Sequence, residues 1–575
     1  MRRQYLFLLL VCVLAFCLRI INIDAHGIGG DEKYSLFVSQ FIPIGGANQQ
    51  DVFRKSNSPY FTPQEFWKKK GISDFYEAML RLDNGCSALH ALSLHYWSDL
   101  FGVSDGALRG MSVLFGVLLV AMLYFFVLSF FESSSLALSA AMLAAVEPLL
   151  VSWSQTIRAY TMTFFFCLLA THLFFKLLKA EAAKQRPVGA YILYGIGVFM
   201  ALMCHYAVFS LFVLHGLIVV LFVRNLRAWI GLGLAMVIPA LGLLWWLWFA
   251  GGQYTFKFMA DSAYVYNLMA TKSPQIGYLA PTSVYAVLIQ MLPIVSNHYL
   301  PTNGLFDVLM GKKNLLISLF VAGVSLGLYR WIKSENLKKG LIAVVFGGAF
   351  LAYSESRLPF MVLSVGLILL AMLVQDTFEQ TKAMRQKYLS IWLLALFPLL
   401  FLVIFAIQDQ NTFRIQHKYA GYGMVFSIIL VVLAIRKLWT FPNWVKYPMA
   451  AMLVLQLVFV TQTLKNIWDD HSLRYSLSAK PRAKNPYQSL AQNIVKKYTP
   501  GDTVVYPSYM GEGHEYDIAV TEYSVTDAQT TNFYLPKNAQ YWQRIDRNEP
   551  NKVYLKKSNG TQELLFDFKG TTYRY

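Results

Sequence analysis

The sequence predicts a polytopic α-helical membrane protein of roughly 13 spans with a small C-terminal extracytoplasmic α/β domain. Of 575 residues, 56% are hydrophobic and only 14% charged, too apolar for a soluble enzyme of this length. Runs long enough to cross about 30 Å of hydrocarbon, roughly 20 residues each, recur from Tyr5 to Val460. Lys and Arg concentrate in short segments between those runs, and the last stretch of the chain has no such run.

The candidate spans are 5–22, 107–130, 135–152, 160–178, 190–205, 207–223, 229–250, 314–330, 340–354, 358–375, 388–407, 421–435 and 446–463. With a cytoplasmic N-terminus, the inner loops include 179–187, 224–227, 330–339, 376–387 and 436–446, all basic, as the positive-inside rule requires. The remaining inner loop, 131–135, carries no positive charge. The formal charge of +18 therefore reads as membrane topology, with no nucleic-acid partner expected. Met1-Arg2-Arg3 and the apolar run after it read as an uncleaved first span in the cytoplasmic (inner) membrane.

This threading places 22–106, 251–313 and the C-terminal tail outside. The organisation expected is a transmembrane domain at 1–463, whose 22–106 loop carries interfacial helices, and a C-terminal extracytoplasmic domain at 464–575. The first loop interleaves aromatics with charges, as in Phe66-Trp67-Lys68-Lys69-Lys70, a composition suited to the headgroup layer. In the tail, a helix at 486–497 precedes alternating stretches at 502–506, 552–556 and 563–568, punctuated by Pro500-Gly501 and Asn559-Gly560. Asn559-Gly560-Thr561 matches the N-glycosylation triplet but reads first as a hairpin turn. Cys12, Cys17 and Cys167 fall in apolar spans, Cys204 near a span end and Cys86 in a long loop; no disulfide framework or metal-ligand spacing emerges.

The chemistry-bearing residues collect on the outer side. Gly27-Ile28-Gly29-Gly30-Asp31-Glu32-Lys33-Tyr34-Ser35 follows the first span directly. A partly desolvated carboxylate there is placed to take a proton from a hydroxyl, with desolvation expected to raise its pKa, although Asp31 could instead cap a short helix with Glu32 in its first turn. Trp153-Ser154-Gln155-Thr156-Ile157-Arg158-Ala159-Tyr160 makes a short outward turn that pins Arg158 at the outer surface. There a guanidinium suits a phosphate, or snorkels to lipid headgroups. Three further turns face the same way: Cys204-His205-Tyr206, Ser354-Glu355-Ser356-Arg357-Leu358-Pro359, and 409–419 with Arg414, His417 and Lys418. Their convergence predicts a cationic ring around the acidic pair.

Together these residues resemble the polyprenyl-phosphate-sugar-dependent glycosyltransferases of the GT-C fold, which include the protein O-mannosyltransferases and the lipid A aminoarabinose transferases. The likeness rests on Asp31-Glu32 after the first span with Tyr34 following, and on the 153–160 turn, which is similar to a Tyr-Ser-Gln-x-x-Arg-x-Tyr pattern. Asp83-Asn84-Gly85-Cys86-Ser87-Ala88-Leu89-His90, continuing to His95-Tyr96-Trp97, Phe101-Gly102 and Arg109, resembles an Asp/His-Pro-Pro stretch without its prolines. The acidic residue that some aminoarabinose-type members carry in the 153–160 loop is missing. The resemblance implies transfer of a sugar from a polyprenyl-phosphate donor to a hydroxyl of a lipid, glycan or protein acceptor, with inversion. It implies Asp31 and Glu32 as the catalytic pair. Lys33, Tyr34, Asp83, Arg158, Tyr160, His205, Tyr206, Arg357, Arg414, His417 and Lys418 are the substrate-binding candidates. No cofactor is expected, and a divalent metal at Glu32 stays open. The competing class is a transporter or flippase of lipid-linked glycans, with Glu147 as the candidate mid-membrane carboxylate.

Overall fold

In a computed structural model, the described residues are 2–43, 61–82, 86–185, 187–299, 312–352, 357–469, 484–507, 525–546 and 548–571. The first helix, α1 (Arg2–Ile20), leads to the helices α2 (Gly30–Ser39), α3 (Pro63–Phe66), α4 (Ile72–Leu82) and α5 (Ala88–Phe101). A bundle follows: α6 (Asp105–Phe131), α7 (Ser134–Val146), α8 (Pro148–Ser154), α9 (Tyr160–Ala182), α10 (Val188–Cys204), α11 (Phe209–Phe222), α12 (Leu226–Ala235) and α13 (Val237–Phe249). Next come α14 (Thr255–Lys272), α15 (Val284–Tyr299), α16 (Lys312–Trp331), α17 (Glu335–Ala352), α18 (Arg357–Glu379), α19 (Lys382–Asp409), α20 (His417–Leu438) and α21 (Asn443–Trp468). The C-terminal unit holds α22 (Pro486–Lys497), β1 (Thr503–Pro507), α23 (Thr526–Asn532), β2 (Trp542–Asp546), β3 (Lys552–Lys556) and β4 (Gln562–Asp567).

Each apolar run picked out in the sequence falls on a helix. Among the described residues, eight helices are long and apolar enough to cross a membrane, or nine when the bent pair α7–α8 counts as one span. The others, including α10 and α16, are shorter apolar helices or fall outside that length and composition test. Two helices in the 251–313 segment escaped the sequence reading. α14 mixes polar and aromatic residues without a clear stripe, and α15 is only 16 residues with Pro293 inside it.

The 59° bend between α7 and α8 has an identifiable cause. Pro148 has no N–H to give the carbonyl four residues back, at Ala144, and the Leu149 N–H turns to Glu147 Oε1 at 3.4 Å. Arg19 of α1 takes over both lost bonds, donating to Ala144 O at 3.1 Å and Ala145 O at 2.9 Å. Its Nε donates to Ser154 Oγ at 3.1 Å, and its side chain is fully buried. Glu147, the carboxylate that the transporter reading singled out, thus lies at the break of a helix whose loose ends a neighbour satisfies.

α20 is the centre of the bundle, and Gly421 lets it close on its neighbours. A Cβ there would lie 2.4 Å from the Phe164 ring and 2.6 Å from the Trp153 ring. The tail forms a four-stranded sheet in the order β2-β1-β3-β4, with β1 and β2 parallel and the other pairs antiparallel. The helix at 486–497 and three strands match the expected stretches to within one residue, and α23 and β2 are additional. Asn559-Gly560 forms the β3–β4 turn, with Gly560 at φ 88° and Lys557 N bonded to Thr561 O at 2.8 Å.

The tail is not a separate appendage. One hydrophobic core joins Leu36 and Phe37 of α2, Phe61, Phe66, Leu94 and Ile157 to Leu490, Val504, Ala528 and Phe533 of the C-terminal unit. Phe61 also pairs with Gln543 through two backbone bonds of 2.7 Å. The 463/464 boundary falls inside α21, which runs on to Trp468.

Candidate active site

α2 begins where the chain leaves α1, and its first turn carries the acidic pair. Gly29 is the N-cap, so Asp31 and Glu32 occupy the second and third helical positions. Glu32 supplies one half of a capping box, accepting the Gly29 N–H at 2.7 Å, while the glycine has no side chain to return the bond. The capping role weighed for Asp31 therefore belongs to its neighbour.

Glu32 is wholly engaged. Its Oε1 accepts from Arg109 Nε at 3.0 Å and Ile157 N at 2.9 Å, and its Oε2 accepts from Arg109 Nη2 at 3.0 Å and Gly29 N at 2.7 Å. The rest of the Arg109 fork goes to Ile23 O, His26 O and Gly27 O, at 2.9, 2.9 and 2.8 Å. Burial alone would raise the Glu32 carboxyl, but the charge and hydrogen bonds of Arg109 overcome it and hold the acid at about 2. The sequence counted Glu32 as half of a catalytic pair. In the structure it is an anchored anion that fixes α2 to α6.

Asp31 differs in every respect. Its side chain is 43% exposed, and Oδ2 accepts from Lys418 Nζ at 3.3 Å. Arg158 Nη1 donates to Asp31 O and to Ser35 Oγ, each at 3.2 Å, so the guanidinium lies along the same turn of α2. The Lys418 charge, opposed by burial and aided by Arg158, lowers the Asp31 carboxyl below its usual range, so the rise expected from desolvation is overturned by the neighbouring cations. Tyr160 joins this group, its ring centroid 5.9 Å from the Arg158 guanidinium carbon.

The 153–160 turn assembles the site residue by residue. Trp153 packs on Phe164 with centroids 5.1 Å apart, and Ser154 receives Arg19. Gln155 Nε2 caps the end of α1 through Arg19 O and Ile21 O, at 3.0 and 2.8 Å. Thr156 O accepts from Ser112 Oγ at 2.6 Å, and Ile157 N reaches Glu32. Arg158 is thereby held rigidly against Asp31.

The remaining candidates divide. His205 lies within the field of Arg158, Lys418 and Arg414, yet it is not a cation. Its Nδ1 accepts the Ala207 N–H at 3.1 Å, so the neutral ring carries its proton on Nε2. The ring of cations predicted from the sequence thus contains a neutral donor. Tyr206 turns aside to accept from Trp246 Nε1 at 2.8 Å. Arg414 is intercepted by Asp409 in an ion pair and lies 5.7 Å from the Phe405 centroid. His417 points to α15, with Nε2 3.1 Å from Asn297 Nδ2. Tyr34 is half-buried on the side of Tyr266, a phenol on α14 that stacks on Phe413 at 3.5 Å. Lys33 leaves the site altogether and is buried against Tyr487, with Nζ 2.9 Å from the phenol oxygen. Asp83 and the side chain of Arg357 lie outside the described residues.

The sequence reading missed Ser35, Tyr266, Tyr419 and any task for Arg109. Ser35 was legible as the residue one turn after Asp31, where a helix places a same-face neighbour. Tyr266 and Tyr419, the latter with its centroid 5.2 Å from Lys418 Nζ, come from elements whose approach no local pattern reveals. Among the described residues no group of three or more His, Cys, Asp or Glu is placed to hold a metal.

No family model and no curated protein sequence matches the chain. Solved structures are similar at low identity. The apo oligosaccharyltransferase of Archaeoglobus fulgidus matches over 91% of this chain at 12% identity and a TM-score of 0.43. Its complex with Zn and sulfate matches over 95% at 13% identity and a TM-score of 0.45, covering 63% of that chain. ArnT from Cupriavidus metallidurans bound to undecaprenyl phosphate matches over 89% of this chain and 84% of its own, at 14% identity and a TM-score of 0.38. The chain spans only 60% of the length of the apo oligosaccharyltransferase.

Proposed function

We propose that the chain is an integral membrane glycosyltransferase that moves a sugar from a polyprenyl-phosphate donor to an acceptor hydroxyl on the extracytoplasmic face, with inversion. The observation that carries this reading is the division of labour in the acidic pair. Glu32 is saturated, whereas Asp31 is half-exposed and set between Lys418 and the Arg158 turn. A carboxylate beside two cations is what in-line displacement of a lipid phosphate needs. Asp31 takes the acceptor proton, and the freed oxygen bonds to the anomeric carbon as the bond from that carbon to the phosphate oxygen breaks. The leaving phosphate keeps the electron pair and is stabilised by Arg158 and Lys418. His205 adds an uncharged N–H donor, and Tyr34, Tyr160 and Tyr266 offer aromatic and hydroxyl contacts for the sugar.

In this reading all thirteen apolar runs span the inner membrane, the N-terminus is cytoplasmic, and 22–106 and the C-terminal unit are outside. Lys418 holds Asp31 anionic until the donor arrives, then turns to the phosphate.

The test is sugar transfer in vesicles containing the purified chain, a total lipid extract of the source membranes and the envelope fraction, read by mass spectrometry as release of free polyprenyl phosphate. Asp31→Asn is expected to lower turnover by about 1,000-fold while polyprenyl-phosphate binding persists. Arg158→Ala is expected to weaken both binding and turnover. Near wild-type turnover in Asp31→Asn removes the base, and movement of lipid-linked sugar across the vesicle without covalent transfer supports the transporter instead.

A further inference from the structure

Asp31, Glu32 and Lys33 are consecutive on α2, so the helix turns each about 100° from the last and presents three charges to three bodies. Asp31 meets Lys418 of α20, Glu32 meets Arg109 of α6, and Lys33 enters the C-terminal unit. Lys33 is fully buried; its Nζ donates to Tyr487 Oη at 2.9 Å and lies 4.6 Å from that ring's centroid. Tyr487 Oη donates onward to Asp527 Oδ1 at 3.0 Å, a residue only 3% exposed. A buried amine and a buried carboxylate joined through one phenol form a hydrogen-bonded link between α2 and the C-terminal unit, and its geometry follows any movement of either body.

The surroundings make the joint stiff. Gln529 Nε2 holds Pro43 O at 3.2 Å, and Phe533 meets Phe37 edge-on at 5.2 Å. Gly27 passes so close to the C-terminal unit that a Cβ there would lie 2.7 Å from Asn485 Cα. α2 is thus gripped on two faces, by Arg109 and by the Tyr487 relay, and the third face carries the half-exposed acid.

We propose that Lys33, Tyr487 and Asp527 form a positioning relay through which the C-terminal unit fixes the rotation of α2 and sets Asp31 against Lys418 and Arg158. This rests on the glycosyltransferase reading. The lever is short: an atom about 5 Å from the helix axis moves roughly 1 Å for a rotation of about 10°. A misplacement of that size at a reacting group costs up to about 100-fold in rate. The titratable groups facing Asp31 are Lys418 from α20, Arg158 from the turn before α9 and Tyr160 from α9.

The same full-length vesicle assay, with the same lipid extract as probe, tests the relay. Tyr487→Phe removes only the bridging hydroxyl, and Lys33→Met removes the charge. The expected result for Tyr487→Phe is turnover down about tenfold, a donor KM within about twofold of wild type, and an acid limb of the pH–rate profile moved upward as Asp31 leaves its cations. A loss of folded protein alone would shrink the amplitude without moving that limb. Wild-type turnover and an unmoved limb in Tyr487→Phe overturn the relay whether or not Lys33→Met folds. With Asp31→Asn inactive, that result leaves the glycosyltransferase reading standing. A wild-type chain that releases no polyprenyl phosphate sinks both.

Discussion

Asp31 and Glu32 differ by one methylene and one position, yet the fold gives them opposite tasks. Glu32 faces a guanidinium whose donors are all pointed at it or at the 23–27 carbonyls, so it stabilises. Its carboxyl falls from an ordinary 4.5 to about 2, a gap worth about 3 kcal/mol of folding free energy. Because the folded value is the lower one, that contribution is complete above pH 4.5 and is lost as pH falls toward 2. The expected outcome is a thermal midpoint in detergent that drops through this window in wild type and drops less in Glu32→Gln. At neutral pH Glu32→Gln is expected to cost about 3–5 kcal/mol, since Arg109 is left buried without its anion. Asp31, also depressed, should remain a competent base below the usual aspartate range, so the acid limb of turnover lies under that range. The order of the motifs brought the acidic pair and Arg158 forward as candidates, and Arg158 does lie against the backbone of Asp31. Which carboxylate is saturated was not legible, because that depends on Arg109, which lies 77 residues further on.

Helix ends and breaks show the same dependence on distant partners. The α7–α8 break is written locally in Glu147-Pro148, but its tolerance inside an apolar bundle comes from Arg19 on α1. Gly116 on α6 leaves the room for that arginine. A Cβ there would lie 2.3 Å from Ser154 Oγ and 3.0 Å from Arg19 Nε. Gly116→Ala is therefore expected to lower stability by about 1–3 kcal/mol, measured as the unfolding midpoint in detergent. Arg19→Leu is expected to be worse, leaving the Ala144 and Ala145 carbonyls without their donors. Apolar run length found the long helices because hydrocarbon thickness imposes it. α14, α15, α23 and β2 escaped because nothing in their composition separates them from loops.

The C-terminal unit and the membrane bundle meet over α2, where they share one hydrophobic core. Truncation after Trp468 would uncover Leu36 and Phe37, both fully buried, and Ile28 at 2% exposure. The expected outcome is loss of a monodisperse peak on size exclusion in detergent, as against the soluble bundle that an independent appendage would leave behind. The proposed orientation makes a separate prediction. A single cysteine at Gln185 should label only from the cytoplasmic side, and one at Ser558 only from outside, in a background lacking the native cysteines. Ser558 labelling from inside would invert the topology.

Composition and run length were enough to read a multi-pass helical membrane protein and the position of most of its helices, and the placement of Lys and Arg gave the orientation proposed for it. Those features answer to the thickness and charge asymmetry of a bilayer, which act on each segment separately. The roles of Glu32, Lys33 and His205 were decided by three-dimensional packing. Glu32 and Lys33 depend on which group from a remote segment arrives beside them: Arg109 saturates the first and the Tyr487 phenol takes the second, while the Ala207 N–H given to its Nδ1 leaves His205 neutral.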